Sequence, residues 1–214
     1  MERVMPLRTA ALVAGISLLL MAVLAGLANF GVLEGIAVRG DAEATASNLE
    51  ASASLVRLAA GALILVVILD VVVAWGLYVL LRGVSPSLSL LGAWFRVVYA
   101  AAFAAAVMSI FAALHAAPED PNRAVFLMQS FNDGWQVALT VFAVHLCVVG
   151  ALVWRAEFVS WIFGLLLLLS GAGYFIDGLG TLLFPGYALG LSSFTFAGEV
   201  VFMLWLLIRG SRLR

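Results

Sequence analysis

Three ionisable side chains lie inside long apolar stretches of the sequence. Asp70, His145 and Glu199 each precede, by ten to twelve residues, an arginine that ends the apolar stretch. At about 1.5 Å per helical residue, each lies roughly 15–18 Å from that arginine, which is close to half of a hydrocarbon core about 30 Å thick. Inserting an acid into a membrane helix costs about 2.5–3.5 kcal/mol on insertion scales, so such an acid either pairs with an opposite charge or belongs to a functional site. Two carboxylates and an imidazole at one depth predict a site that binds a proton, a cation or a small ligand.

Further polar residues extend this predicted site along the helices. Arg96 is expected in the inner half of its helix, and Asp177 in the outer half of its helix. Thr195 precedes Glu199 by four residues and Tyr174 precedes Asp177 by three, so each pair shares one helical face. We expect these faces to point into the helical bundle. Because opposite charges attract strongly at low dielectric constant, Arg96 is predicted to pair with one carboxylate, and at least one remaining carboxylate to be protonated at neutral pH.

The composition is typical of an integral membrane protein. Of the 214 residues, 65% are apolar and only 11% are charged, whereas about a quarter of the residues in soluble domains are charged. We expect a single transmembrane domain over residues 1–214. All eleven basic residues are arginine, and the lack of lysine excludes retinal and pyridoxal Schiff bases. The single cysteine, Cys147, excludes disulfide frameworks and iron–sulfur clusters. The sequence indicates no particular cofactor.

Hydropathy predicts an all-α fold, a bundle of six transmembrane helices with short surface helices on the outer side. The first span is favoured over a signal peptide because its apolar stretch is long for one. Asp41 is predicted to cap a surface helix that leads into span two, and residues 122–131 are predicted as a second, interfacial helix. Asp133 is predicted to cap span four. The predicted spans are residues 9–33, 56–81, 88–114, 134–154, 158–182 and 188–208.

The distribution of arginines predicts the orientation. Seven arginines fall on one side of the predicted bundle and three on the other, and cytoplasmic loops are the ones that carry such an excess. We therefore expect both termini in the cytoplasm. The seven are Arg3, Arg8, Arg82, Arg155, Arg209, Arg212 and Arg214, and the three are Arg39, Arg57 and Arg123.

Several segments resemble one known family. They include GDAEATASNLEASASLVRL at residues 40–58, FRVVYAA at 95–101, and the passage from His145 to Asp177 that ends in GAGYFID, followed by FPGY. Over residues 40–210, the chain resembles the bacterial domain-of-unknown-function 4386 family of multi-span membrane proteins. The residues that match its pattern are Asp70, Arg96, His145, Asp177 and Glu199. The resemblance implies a six-span bundle in a bacterial membrane, and it implies no reaction or substrate. With both termini expected in the cytoplasm, we expect the protein in the inner membrane.

Three interpretations of the polar residues stay open at this stage. The first is binding or transport of a small ligand, proton or cation. Six spans usually need a second copy of the chain to form a gated route, so the expected partners are the lipid bilayer and a second copy of the chain. The second is a metal-dependent membrane enzyme, with Asp70, His145 and Glu199 as ligands. The third is a purely structural network that fixes helix packing.

Other classes of function lack the residues that they need. Haem ligation is disfavoured because the two histidines, His115 and His145, are expected at different depths. A serine hydrolase would need a GxSxG elbow, which the sequence lacks. Nucleic acid is excluded as a partner because the chain has no basic surface interleaved with aromatic residues.

Overall fold

The computed structural model describes residues 5–213, and this part of the chain is helical, without strands. Arg3 and Arg214, which were counted in predicting the orientation, lie outside the described residues. A short 3₁₀ turn at Leu33–Gly35 follows the first helix. The α-helices are α1 (Leu7–Asn29), α2 (Ala42–Ala51), α3 (Ala53–Leu81), α4 (Pro86–Ala116), α5 (Pro121–Arg155), α6 (Trp161–Leu183), α7 (Ser192–Thr195) and α8 (Ala197–Ile208).

Five helical segments of the described chain are long and apolar enough to cross a membrane. Each would have to bond all of its backbone groups internally in lipid, which a continuous helix does. The all-α prediction is confirmed, and the five segments fit a multi-pass membrane protein. They are Leu7–Gly35, Ala53–Leu81, Pro86–Ala116, Pro121–Arg155 and Trp161–Leu183.

The predicted sixth span is shorter than expected. Gly186 and Gly190 have φ angles of 82° and 62°, a backbone conformation that glycine adopts without strain, so residues 188–191 form a loop where the span was predicted to start. The apolar segment that follows, Ser192–Ile208, is about 25 Å long if helical throughout. Its hydrogen-bond pattern is interrupted at Phe196, between α7 and α8, although Phe196 keeps helical backbone angles.

Two compact units make up the chain. The first comprises Met1–Leu19, Leu69–Ala100 and Gln136–Arg214, and the second comprises Leu20–Ile68 and Ala101–Trp135. Each unit contains part of α3, α4 and α5.

In the second unit, Asp41 caps α2 as predicted. Its Oδ1 accepts a hydrogen bond of 2.9 Å from the backbone N–H of Ala44. The prediction that Asp133 caps a separate span is wrong, because α5 continues through Asp133 from Pro121 to Arg155. Residues 122–131 are therefore the first turns of this helix rather than a separate interfacial helix.

Aromatic packing explains why α5 continues through this point. Phe131 and Trp135 are four residues apart on one face of α5, and their ring centroids lie 6.4 and 5.4 Å from that of Phe103 on α4. Between them, a Cβ atom on Gly134 would lie 2.9 Å from Cβ of Ala106. This glycine permits close packing of α5 on α4 within the second unit, and it does not mark the start of a helix.

A pair of substitutions tests this difference between the two aspartates. We expect Asp41→Ala to lower the free energy of unfolding by about 1 kcal/mol, because an orphan N–H at the start of α2 loses its acceptor. Asp133→Ala should leave stability within about 0.5 kcal/mol of the wild type or raise it, because Asp133 is exposed inside a helix, where alanine is the better helix former. Denaturant titration of the detergent-solubilised protein measures both. Equal destabilisation by the two variants would contradict the continuous helix.

Candidate functional site

The centre of the candidate site is a buried ion pair in the first unit. Nη2 of Arg96, on α4, lies 2.7 Å from Oδ1 of Asp70, on α3, and the two side chains are 3% and 0% exposed. This confirms the prediction that Arg96 pairs with a carboxylate. Among the described residues, Oδ2 of Asp70 and Nε of Arg96 have no hydrogen-bond partner. A buried ion pair with such unsatisfied atoms is stabilised mainly by Coulomb attraction.

His145, on α5, makes the second contact with Arg96. Its Nε2 lies 3.2 Å from Nη1 of Arg96, and its Nδ1 lies 2.8 Å from the carbonyl oxygen of Gly92. A guanidinium only donates hydrogen bonds, so Nε2 must accept, and we assign the ring proton to Nδ1, which donates to Gly92. In this arrangement the imidazole is neutral and both of its nitrogens are engaged.

This arrangement bears directly on the predicted metal ligands. Among the described residues, no group of three or more His, Cys, Asp and Glu side chains is placed to hold a metal ion. His145 has no nitrogen free to coordinate one, since Arg96 and Gly92 occupy both. Asp70, His145 and Glu199 are therefore not arranged as a metal centre.

Phe142 connects the ion pair to the rest of the site, and the sequence analysis missed it. Cζ of Arg96 lies 5.2 Å from the centre of the Phe142 ring, a cation–π geometry. The same ring stacks on His145 with centroids 5.4 Å apart, and Tyr174 meets it edge-on at 6.0 Å. Phe142 is three residues before His145 on α5, so the helical spacing was a signal that could have identified it.

Glu199, at the start of α8, lies near Tyr174 of α6, and the two side chains interact electrostatically. The charges of Arg96 and Asp70 also act on Glu199. Glu199 is only partly buried, whereas Asp70 and His145 are fully buried. The three predicted midplane residues thus belong to one electrostatic cluster, of which Asp70 and His145 contact Arg96 directly.

Thr195 lies next to the interruption between α7 and α8. Its carbonyl oxygen accepts a hydrogen bond from the Ser170 hydroxyl, while the N–H of Glu199 bonds to Phe196 instead. Its own Oγ1 is buried without a hydrogen-bond partner among the described residues and faces Gly173. The side-chain bond from Ser170 therefore replaces the helical bond that would otherwise join α7 to α8.

Asp177 has a different set of partners. Its Oδ1 accepts hydrogen bonds from the Tyr187 hydroxyl at 2.8 Å and from the N–H of Leu191 at 3.0 Å, and its Oδ2 accepts one from the N–H of Ser192 at 2.6 Å. In the described part of the chain, no hydrogen bond or ion pair joins it to Asp70 or Arg96. Partial burial and the bond to Asp177 raise the pKa of Tyr187. Asp177 thus anchors the loop that leads into α7.

A comparison with known protein families identifies the family of this chain. The model of the family described as "Domain of unknown function (DUF4386)" matches residues 13–210. The chain belongs to the DUF4386 family. Because the match spans nearly the whole chain, it confirms the resemblance inferred from the sequence motifs.

A similar protein comes from the archaeon Archaeoglobus fulgidus and bears the name "Uncharacterized protein". It is 38% identical over 149 residues, which cover 70% of this chain and 82% of the relative. The expectation of a bacterial family was therefore too narrow, since this DUF4386 member has an archaeal relative. No solved structure matches the chain.

A double-mutant cycle tests the ion pair. We expect Asp70→Leu and Arg96→Met each to destabilise the protein by about 3–5 kcal/mol, because each leaves a buried charge without its partner. The double variant Asp70→Leu/Arg96→Met should be more stable than either single variant, and Glu50→Gln, an exposed acid, serves as the control. Thermal unfolding in detergent measures all four. Additive losses in the double variant would mean that the two charges do not interact.

Hydrogen exchange tests the role of Asp177. We expect Asp177→Ala to raise the exchange rate of the amides of Leu191 and Ser192 by tenfold or more, because both lose their acceptor. Amides in the centre of α4 should keep the wild-type rate and serve as the internal control. Unchanged protection at residues 191–192 would show that Asp177 does not hold this loop.

Proposed function

We propose that this DUF4386 protein binds a proton or a small monovalent cation at the cluster of Asp70, Arg96, His145 and Glu199, and that it couples this binding to transport of a small ligand or ion across the membrane. The observation that supports the proposal is a mismatch of charge. Two carboxylates, Asp70 and Glu199, interact with one guanidinium in an apolar surrounding. His145 contributes no second positive charge, since its Nε2 accepts a hydrogen bond from Arg96.

An unbalanced negative charge is unstable at low dielectric constant. Arg96 neutralises one carboxylate, and the second must take up a proton or a cation to complete neutrality. Of the two acids, Asp70 forms the ion pair with Arg96, whereas Glu199 forms no ion pair among the described residues. Glu199 is therefore the carboxylate that exchanges its proton or cation, and Asp70 is the fixed partner of Arg96.

An irregular turn of helix beside Glu199 favours a transport role over a static one. A tighter, 3₁₀-type turn within a helix often marks a functional hinge, and here the N–H of Glu199 bonds to the carbonyl oxygen of Phe196, three residues before it, while Phe196 keeps helical backbone angles. Here α7 ends at Thr195 and α8 begins at Ala197, two residues before Glu199. The unpartnered Oγ1 of Thr195 adds a polar atom close to this interruption. In the proposed cycle, Tyr174 stabilises Glu199 in the step in which its carboxylate is charged.

The proposed topology has six spans, with α7 and α8 together forming the sixth. About 25 Å of helix is short for a core about 30 Å thick, and a short span is accommodated by local thinning of the bilayer or by association with another helix. By the excess of arginine on one side, both termini lie in the cytoplasm and α2 lies on the outer side of an inner membrane. A second copy of the chain would complete a gated route for the ligand.

A structural role is the second candidate, and one observation favours it. Asp70, Arg96 and His145 are at most 3% exposed and contact one another, as in a network that fixes helix packing. That network alone accounts for neither the partly exposed Glu199 nor the interruption beside it. An experiment on Glu199 therefore separates the two candidates.

Infrared spectroscopy tests the bound proton. At neutral pH, the purified wild-type protein should show the carbonyl band of a protonated carboxylic acid, shifted by exchange into D₂O. Glu199→Gln should remove this band, and the matched control Glu157→Gln, an exposed acid, should retain it. Persistence of the band in Glu199→Gln would assign the proton to another acid. Absence of the band in the wild type would leave only the cation as the occupant.

Proteoliposomes test transport directly, with protons as the probe. A potassium diffusion potential should drive proton entry reported by a trapped pH dye, and Glu199→Gln should slow it at least tenfold while Glu157→Gln does not. If empty liposomes and wild-type proteoliposomes take up protons at the same rate, with sodium present or absent, the chain does not carry protons unaided and proton transport by this site is contradicted.

A further inference from the structure

The second unit contains a cavity that the proposed function does not use. Its volume is about 570 Å³, within the range of pockets that hold small molecules. The end of α1, the 3₁₀ turn and the segment up to Gly40 form one side, and the first turns of α5 form the other. All of its lining residues belong to the second unit.

Two opposite charges line this cavity without pairing. Glu34 and Arg39 are both exposed and both face the cavity. Among the described residues, Arg96 forms an ion pair with Asp70, whereas neither Glu34 nor Arg39 forms one. Gln129 and Asn132, three residues apart on α5, also line the cavity, and their side chains form no hydrogen bond within the described chain. A ligand with one positive and one negative group would satisfy both charges at once.

An apolar stripe leads from the lipid-facing side of α1 to the same cavity. Val23, Leu27 and Phe30 are spaced i, i+4 and i+7, so they share one face of the chain at the end of α1. They are 51%, 64% and 79% exposed. Phe30 itself lines the cavity. A molecule with a long apolar tail would lie along this stripe with its polar end in the cavity.

From this juxtaposition we propose that the cavity binds the headgroup of a zwitterionic phospholipid with a primary ammonium group, such as phosphatidylethanolamine. Arg39 binds the phosphate, because a guanidinium matches its oxygens. Glu34 accepts hydrogen bonds from the ammonium, and the side-chain oxygens of Gln129 and Asn132 add further acceptors. One acyl chain follows Val23, Leu27 and Phe30. The proposal is independent of the proton or cation site in the first unit.

Each part of the headgroup explains a feature of the cavity. An anionic lipid without an ammonium group would leave Glu34 facing a negative charge, which disfavours it. A choline headgroup carries a positive charge but no N–H to donate to Glu34, so it is expected to bind less tightly. A soluble zwitterion would satisfy the two charges but would leave the stripe on α1 without a role.

Native mass spectrometry of the full-length protein in detergent tests the proposal. Lipids with identical acyl chains and ethanolamine, choline or glycerol headgroups are titrated, and the bound copies are counted. The ethanolamine lipid should bind about tenfold more tightly than the other two, the factor that about 1.4 kcal/mol of charge-assisted hydrogen bonding provides. Equal affinity for all three headgroups would overturn the proposal.

Variants identify the residues that read the headgroup. Glu34→Gln should abolish the preference for ethanolamine over choline, and Arg39→Gln should weaken both lipids. The controls Glu50→Gln and Arg57→Gln are exposed, lie outside the cavity and should keep the wild-type preference. Asn132→Leu, which removes an amide acceptor from the α5 side of the cavity, should weaken the ethanolamine lipid without altering either charge. If Glu34→Gln keeps the preference for ethanolamine, or a control variant loses it, other residues select the headgroup and the proposed role of the cavity is contradicted.

A competition experiment separates lipid from soluble ligand. Free glycerophosphoethanolamine, which has the same phosphodiester and ammonium groups but no acyl chain, should displace the lipid only at concentrations at least a hundredfold higher. Displacement at concentrations equal to those of the lipid would assign the cavity to a soluble zwitterion and overturn the role of the stripe on α1.

Discussion

A guanidinium keeps its positive charge at every pH that a cell reaches, so a fully buried Arg96 requires a permanent countercharge. Asp70 supplies it at 2.7 Å. Much of the first unit is arranged around this requirement. Because Asp70 is on α3 and Arg96 on α4, the pair fixes the axial register of these two helices: displacement by one turn would separate the charges by about 5 Å in a medium where separation is costly.

The remaining groups around Arg96 act by directing its other nitrogens. His145 accepts from Nη1 because the carbonyl oxygen of Gly92 holds the ring proton on the opposite nitrogen. Phe142 presents its ring face to the guanidinium and packs against Tyr174 with the two rings at 75°. Tyr174 in turn interacts with Glu199. A change in the charge of Glu199 would thus act on Tyr174, whose ring packs against the aromatic side chain next to the ion pair.

The sequence predicted the polar centre better than it predicted the ends of the helices. Their spacing from the flanking arginines predicted that Asp70 and His145 lie at one depth, and in the structure both contact Arg96. Arg96 itself was expected nearer one end of its span, but a long side chain reaches several ångströms along a helix, which spacing alone does not describe. Phe142 was missed because a phenylalanine on an apolar helix carries no compositional signal of its own.

The errors at helix ends have local causes. Around Asp133, the pattern of an acid followed by glycine, tryptophan and glutamine fits a helix start, but the same pattern fits a helix interior in which Gly134 permits close packing against Ala106. Hydropathy joined residues 188–208 into one span because it averages over the interruption at Phe196. That interruption depends on Ser170, which is distant in sequence and bonds to the carbonyl oxygen of Thr195. Non-local hydrogen bonds of this kind are absent from any window of consecutive residues.

The contrast between Asp70 and Glu199 follows from where each acid sits in its helix. Asp70 is in the continuous α3, whose backbone bonds are complete, so the position of its carboxylate changes only if the whole helix moves. Glu199 is in the first turn of α8, directly after an interruption, and its N–H bonds to Phe196 rather than to Thr195. A carboxylate in an irregular first turn adjusts its position at lower cost than one in the middle of a long helix. In the proposed cycle, this difference makes Asp70 the constant charge and Glu199 the charge that varies, and it requires that the Ser170 bond to Thr195 be retained for α7 and α8 to stay separate helices.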